Sequence, residues 1–250
     1  MEDNGLIRFN IFESYSNLLV FTTTKQTFGF VNPRFTGTSE LNIQNYRELL
    51  AKALGLKTIQ FVFPQQTHTN CVAEIKGIQN SEISETDALV TNKSEICLCV
   101  QTADCVPILL FDPVKRVISA IHAGWRGTVS KIVEGAVNKM ISTYGCKAEN
   151  ILTAIGPSIS PEIYEVGNEV INAVKESVPE FEQTIQKNNR GKFYFNLWEA
   201  NRQILMAAGV RSKNIEIHGE CSYKNSNKYF SARRDGIETG RMVSGIMIKS

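Results

Sequence analysis

Three histidines and six cysteines occur in the 250-residue chain, few enough to weigh one by one. His68 stands in PQQTHTNCV, in a turn between two apolar runs, and Thr67 and Asn70 beside it are placed to orient its ring by hydrogen bonds. His122, in ISAIHAGWRG, closes an apolar run and opens onto Gly124 and Gly127. Such strand ends, followed by glycine-containing turns, are where α/β proteins gather catalytic groups. His218 lies inside IEIHGE, a less site-like setting. Cys105 ends the polar stretch Gln101, Thr102, Ala103, Asp104 and opens the apolar run VPILLF. The other cysteines read as small core residues: Cys97 and Cys99 share one face of ICLCVQ, and Cys71, Cys146 and Cys221 have no close polar company.

Two chemistries suit His68, Cys105 and His122. Two imidazoles and a thiolate are a zinc donor set, and a cysteine with a histidine is a nucleophile–base pair. The gaps between the three match no zinc-finger spacing. Residue chemistry alone leaves both readings open.

Positioning these groups falls to a chain that mixes strands and helices throughout. TIQFVF (58–63), CVAEI (71–75), TDALVT (86–91), ICLCVQ (96–101), VPILLF (106–111) and VISAIH (117–122) are short β-branched or apolar runs, most of them separated by polar segments. Their near-continuous apolar character predicts strands buried on both faces. Helical spacing of apolar residues predicts helices over 43–54, 130–144, 161–174 and 196–208; Gly55, Gly145 and Gly209 stand ready to end three of them. Strands return at IEIH (215–218) and MVSGIMI (242–248). The class is α/β or α+β, read as one domain over residues 1–250, with no internal repeat or flexible linker.

Composition narrows the setting. With 27 basic and 25 acidic residues the net charge is +2, which gives no electrostatic case for nucleic acid or a membrane surface. The N-terminal MEDNGLIRF lacks the basic start and apolar run of a signal peptide, and nothing approaches a membrane span. Sparse cysteines suit a reducing compartment, so a cytoplasmic location is expected.

The segments QQTHTNCV, DALVT, QTADCVPILL, HAGWRGT, IGPSISPEIYEVG, NLWEANRQIL and YFSARRDGIETGRM, in that order, resemble the YfiH-like family, also called the multicopper polyphenol oxidoreductase or laccase domain family. The resemblance runs from about residue 28 to the C-terminus. It implies a single-domain layered α/β sandwich around one metal pocket, with His68, Cys105 and His122 at the zinc-ligand positions. It further implies purine nucleoside phosphorolysis of adenosine, inosine and S-methyl-5'-thioadenosine, with an accompanying adenosine deaminase activity. Other descriptions of the family give copper-dependent polyphenol oxidation or peptidoglycan editing, the second being the form a Cys–His hydrolase or amidase would take. A multicopper centre needs many more histidines than three; one thiolate and two imidazoles suit one zinc per chain, or at most one Cu2+. The chain departs from relatives at Ser158, Ser160, Glu162 and Ile163, where cysteines are common, and is shorter between Asn42 and Arg47.

On that resemblance, three protein ligands leave a fourth zinc position open, the mark of a catalytic site. Deamination asks for a carboxylate to move a proton, and Asp104 and Asp87 are the candidates, Asp104 being preferred along with Cys105 and Arg126 as the catalytic group. Phosphorolysis asks for cations on phosphate, drawn from Arg47, Arg126, Arg233 and Arg234, with Arg126 first because it follows His122 closely. Asn42, Arg47, Arg126 and Arg233 are the expected substrate contacts, and Trp125 or Tyr229 could stack on a purine. The expected partners are purine nucleosides and phosphate.

Overall fold

The computed structural model describes residues 5–29, 31–37 and 40–250. In chain order the elements begin with β1 (Leu6–Ile7), β2 (Leu18–Thr23), α1 (Glu40–Leu54), β3 (Phe61–Val62), β4 (Val72–Glu74) and β5 (Ala88–Thr91). The centre of the chain forms β6 (Cys97–Thr102), β7 (Val106–Asp112), β8 (Val117–Ala123), α2 (Trp125–Val129), α3 (Ile132–Tyr144) and β9 (Leu152–Ile155). Then come β10 (Glu165–Val166), α4 (Asn168–Ser177), β11 (Ile185–Lys187), β12 (Phe193–Phe195), α5 (Leu197–Ala207), β13 (Ile215–Ile217), α6 (Ala232–Asp235) and β14 (Met242–Ile248). No helix among the described residues is long and apolar enough to cross a membrane.

Two mixed sheets stack face to face. One runs β1-β2-β14-β6-β3 and the other β13-β9-β7-β8-β5-β4; a small third sheet, β10-β12-β11, lies apart from both ladders. Strand alternation explains the stacking. On β6, Leu98 and Val100 point between the sheets, where they meet Leu109, Phe111, Ile118 and Ala120 of β7 and β8. Cys97 and Cys99 point the other way, with Phe21, Phe35, Phe63 and Leu50 of α1. The outer face of the six-stranded sheet gives Val90, Ile108, Leu110 and Ile121 to α3, α4 and α5, through residues such as Val133, Val137, Val170 and Ile204. The result is a layered α/β sandwich, as the sequence led one to expect, with helices outside each sheet. Both faces of the central strands are covered, which is why their sequences run apolar without a polar face.

Three local expectations need correction. The predicted helix over 161–174 begins only at Asn168. Residues ahead of it are committed elsewhere: Ile163 and Tyr164 donate to Ser160 O, and Glu165 and Val166 pair with Tyr194 and Phe193. The stretch 58–63 opens as a 3₁₀ turn over Thr58–Gln60 before its short strand. Cys71 is exposed, whereas Cys97, Cys99, Cys146 and Cys221 are buried as expected.

The register delivers the candidate ligands to one end of the six-stranded sheet. Val106 pairs with Ala123 and Pro107 with His122, so Cys105 arrives beside the end of β8. Ala88 pairs with Ile121, so Asp87 lies next to His122, whose N–H donates to Asp87 O at 2.8 Å. β4 runs parallel to β5 with Val72 opposite Ala88, which brings the loop carrying His68 to the same end.

Close packing between strands leaves no room for a side chain at one glycine. Gly245 of β14 faces both Phe21 and Cys99 across the ladder. A methyl group there would come within 2.5 Å of the Phe21 ring and 3.1 Å of Cys99 Sγ. Gly245→Ala should lower stability by about 1–3 kcal/mol through overpacking, seen as a lower urea midpoint with unchanged far-UV dichroism. A midpoint equal to that of the parent would show that the Phe21 ring does not lie over this position.

Candidate metal centre

His68, Cys105 and His122 converge. Their ligand atoms all lie within 4.8 Å of one another, with Cys105 Sγ 3.8 Å from His68 Nε2. The two imidazoles meet edge to face, centroids 4.9 Å apart. Ligand atoms around a tetrahedral zinc stand roughly 3.3–3.6 Å apart, so only a small contraction separates this arrangement from a coordinated one. No fourth His, Cys, Asp or Glu joins the group among the described residues. His122 is buried, Cys105 half-buried and His68 exposed, so the cluster opens to solvent on the His68 side.

Asp87 organises the group. Its carboxylate is wholly removed from solvent and accepts from His122 Nδ1 at 2.7 Å. It also accepts from the backbone N–H groups of Thr67 (3.2 Å), His68 (3.1 Å) and Thr69 (2.7 Å), and from Thr69 Oγ1 (2.8 Å). With Nδ1–H given to Asp87, His122 turns Nε2 towards the cluster, the usual arrangement behind a metal-bound histidine. His68 has φ 62°, a left-handed conformation uncommon outside glycine, and the Asp87 bond to its own N–H holds it there. The loop is therefore not oriented through Thr67 and Asn70 side chains as expected: Asn70 Nδ2 donates to Ser130 O, and Thr67 contributes its backbone.

Electrostatics inside the cluster are strong. Burial opposes ionisation of Asp87, yet the bonds from His122 and Thr69 outweigh it and hold its pKa at about 2. Burial likewise raises the Cys105 thiol, but His122 and His68 bring it down to about 6. Burial would lower His122, but the Cys105 charge and Asp87 lift it to about 9. Cys105 and His122 thus draw each other towards thiolate and imidazolium. Two anionic groups gathered around one imidazole favour a cation at Nε2, and a divalent metal supplies it in place of the proton.

Space for an ion depends on Gly124, the residue before α2. A Cβ there would lie 2.9 Å from His68 Cδ2 and 3.1 Å from Cys105 Sγ. Its backbone is ordinary extended chain, φ −72°, so room rather than flexibility is what glycine provides.

The remaining candidates fall into two groups. Asp104, at φ 89°, accepts from Ser222 Oγ (2.6 Å), Ser231 Oγ (3.0 Å) and Arg233 N (2.7 Å), pinning the segment before α6 to the Cys105 turn. Arg233 lies over the Tyr164 ring at 5.3 Å and donates to Glu165 O. Tyr164 feels the charges of Cys105, Arg233, Asp104 and Arg126, which places it in their midst; burial and then Cys105 push its phenol up. Sequence reasoning passed over Tyr164 because it was assigned to a helix. Arg126 is exposed, its guanidinium 4.2 Å from the Trp125 ring, and no carboxylate pairs with it among the described residues.

Elsewhere lie Asn42 and Arg47, on α1. Arg47 donates to Phe35 O and pairs with Glu82 at 3.1 Å, lining a hollow of about 630 Å³ that includes none of the three ligands. Asn42 is exposed. Arg234 is spent on Asp235 and on the carbonyls of Ser222, Tyr223 and Tyr229. Tyr229 is fully buried with its hydroxyl on Glu220, so it offers no stacking face.

Asp87→Asn keeps the shape but offers one acceptor oxygen and a misplaced amide donor. Metal affinity should fall about 10–100-fold, and thermal stability should drop as donors are stranded. Zinc titration against a chromogenic chelator, with calorimetry on the metal-free protein, reads both. Cys105→Ser should weaken zinc retention as well, whereas Cys97→Ser and Cys99→Ser, on the α1 side of the sheet, should leave zinc content unchanged. An Asp87→Asn protein with native zinc affinity would remove Asp87 from the role of organiser.

The architecture agrees with what the chain is similar to. A family model described as multi-copper polyphenol oxidoreductase laccase matches residues 23–249. A purine nucleoside phosphorylase of Bacteroides thetaiotaomicron is 36% identical over 263 residues, covering 99% of this chain and 97% of that protein. A protein named adenosine deaminase RL5, from an unknown prokaryotic organism, is 38% identical over 224 residues, covering 86% and 85%. The crystal structure of the hypothetical protein YfiH from Bacillus licheniformis superposes with a TM-score of 0.91 at 28% identity, covering 99% of this chain and 98% of that one. With the family model spanning nearly the whole sequence and the sandwich reproduced throughout, the chain belongs to the YfiH-like, laccase-domain family.

Proposed function

We propose that the chain is a zinc-dependent purine nucleoside phosphorylase acting on adenosine, inosine and S-methyl-5'-thioadenosine, with an accompanying adenosine deaminase activity. The carrying observation is the convergence of His68, Cys105 and His122 on one open-sided point, backed by Asp87. The names of the relatives, phosphorylase and deaminase, supply the reaction class. A thiolate with two imidazoles is a mononuclear donor set that suits one zinc per chain. The six free cysteines accord with a reducing, cytoplasmic setting.

A zinc ion held by these three side chains supplies a Lewis acid at the open position, able to activate water or polarise a substrate oxygen. The protein's own groups do the rest. Asp87 keeps His122 in the tautomer that presents Nε2. Arg126 and Arg233 provide cationic character on the exposed side, Arg126 with no competing carboxylate among the described residues, as phosphate binding requires. The half-buried Trp125 and Tyr164 give flat apolar surface for a purine. Asp104 serves as the catalytic carboxylate in this reading only while one oxygen is freed from Ser222, Ser231 or the Arg233 N–H; its anchoring bonds make Cys105 placement its more immediate contribution. Arg47 would meet substrate only by way of the separate hollow beside α1, which Asn42 does not line.

The low Cys105 pKa, about 6, also suits a nucleophile, and this favours the metal-free Cys–His hydrolase as second reading. Two histidines converging on the thiol, rather than one base, argue for the metal.

Adenosine incubated with zinc-loaded protein should yield adenine only when phosphate is present, and inosine with or without it. Arg126→Ala should depress adenine release roughly 10–100-fold, the worth of a charged hydrogen bond, and deamination much less. Chromatographic product analysis separates the two. Chelation should abolish both reactions and zinc should restore them; hydrolysis of amide substrates by the metal-free protein would establish the nucleophile reading instead. Adenosine and inosine left intact under all conditions would end the purine assignment.

A further inference from the structure

Arg241 has no part in the assignments above, yet the sheet register sets it beside the metal centre. It directly precedes β14, whose Met242 pairs with Thr102 of β6. Continuing that antiparallel register places Arg241 alongside Ala103, next to the turn that carries Asp104 and Cys105. Its backbone N–H donates to Pro33 O at 2.9 Å, which draws the neighbouring Arg34 to the same place.

The guanidinium of Arg241 is half-buried and held by backbone carbonyls. Nη1 donates to Thr239 O and to Gly240 O (3.1 Å), and Nη2 donates to Ile237 O at 2.9 Å. Arg34 Nη2 donates to that same Ile237 oxygen, so two guanidinium groups meet at one carbonyl. Among the described residues no carboxylate pairs with Arg241. Arg34 pairs with Glu238 at 3.2 Å, but that glutamate is 86% exposed and worth little as a counter-charge. An arginine has five N–H donors, and the Nε–H of Arg241 has no protein acceptor among the described residues. The edge formed by Nε and Nη2 is the one that grips a phosphate or carboxylate in bidentate fashion. Burial and then the Arg34 charge lower the Arg241 pKa, whereas the charges of Cys105, Glu238 and Asp104 support it, so it lies within electrostatic reach of the Cys105 turn.

We propose that Arg241, with Arg34 behind it, forms an oxyanion subsite beside the metal centre that receives inorganic phosphate. Paired cations held close together with a spare donor edge need an anion, and a tetrahedral oxyanion satisfies both. Arg126 is exposed and rests on the Trp125 ring, and the exposed Arg233 bonds one carbonyl, whereas Arg241 is fixed by three, which lowers the entropic cost of gripping a ligand. The choice of phosphate rests on the phosphorolysis reading, whereas the anion subsite itself rests on the arginine geometry.

Titration calorimetry of inorganic phosphate into zinc-loaded protein tests the subsite directly. Arg241→Met should weaken phosphate binding roughly 10–100-fold with zinc content unchanged, and Arg241→Lys should recover part of the loss. In the adenosine assay the phosphate KM should rise in parallel, while inosine formation without phosphate persists. Should Arg241→Met fail to fold, Arg34→Met decides, because it leaves the Arg241 carbonyl bonds in place; its phosphate affinity should fall roughly twofold to fivefold. Native phosphate affinity in a folded Arg241→Met protein, or in Arg34→Met if the former does not fold, overturns the subsite. So does the absence of millimolar phosphate binding by the parent. Phosphate bound through Arg241 with no nucleoside cleavage would uphold the subsite and refute phosphorolysis. Cleavage with an unchanged phosphate KM in both variants would refute the subsite alone.

Discussion

The Asp87 carboxylate is fully buried and takes bonds from His122 Nδ1, Thr69 Oγ1 and three consecutive backbone N–H groups. A buried carboxylate without such partners would cost several kcal/mol, so the charge, the loop and the imidazole are mutually dependent. One set of bonds therefore fixes the tautomer of His122 and the left-handed backbone of His68. Cys105 joins them from the turn before β7.

That constraint works only because the sheet is rigid. β5, β7 and β8 are adjacent, and their register puts Asp87, Cys105 and His122 at one end. Apolar layers on both faces of these strands keep the register from slipping, since a shift of one residue would turn every core side chain to the wrong face. The site thus draws its precision from strands and its access from loops, with His68 on the exposed loop side. Gly124 completes it by leaving empty the volume that any side chain would occupy between His68 and Cys105.

Around an anionic interior stands a cationic surround. Asp87 and Cys105 are both drawn towards their anionic forms inside, while Arg233 bonds Asp104 through its N–H, Arg126 stands in α2 beyond the end of β8, and Arg241 precedes β14. Asp104 links the two zones: its carboxylate ties the α6 segment to the strand turn that ends in Cys105. Moving that segment would move both the ligand and an arginine, so packing and chemistry are coupled through a single side chain.

Much of this was legible in the linear chain. Apolar runs of strand length and stripes at helical spacing gave the α/β class, and the chemistry of two imidazoles and a thiolate singled out His68, Cys105 and His122, because donor types and strand-end settings are local properties. Periodicity misplaced the start of α4, since the apolar spacing from Pro161 onwards does not reveal that Glu165 and Val166 are needed by a distant strand. Tyr229 and Arg234 looked available from their neighbours and proved committed, to the core and to backbone carbonyls. Which aspartate would stand behind His122, and that Arg241 would fall opposite Ala103, depend on strand pairing between residues far apart in the chain. Pairing is decided by the burial of whole sheet faces and the closing of every ladder bond at once, and no short window of sequence contains that information.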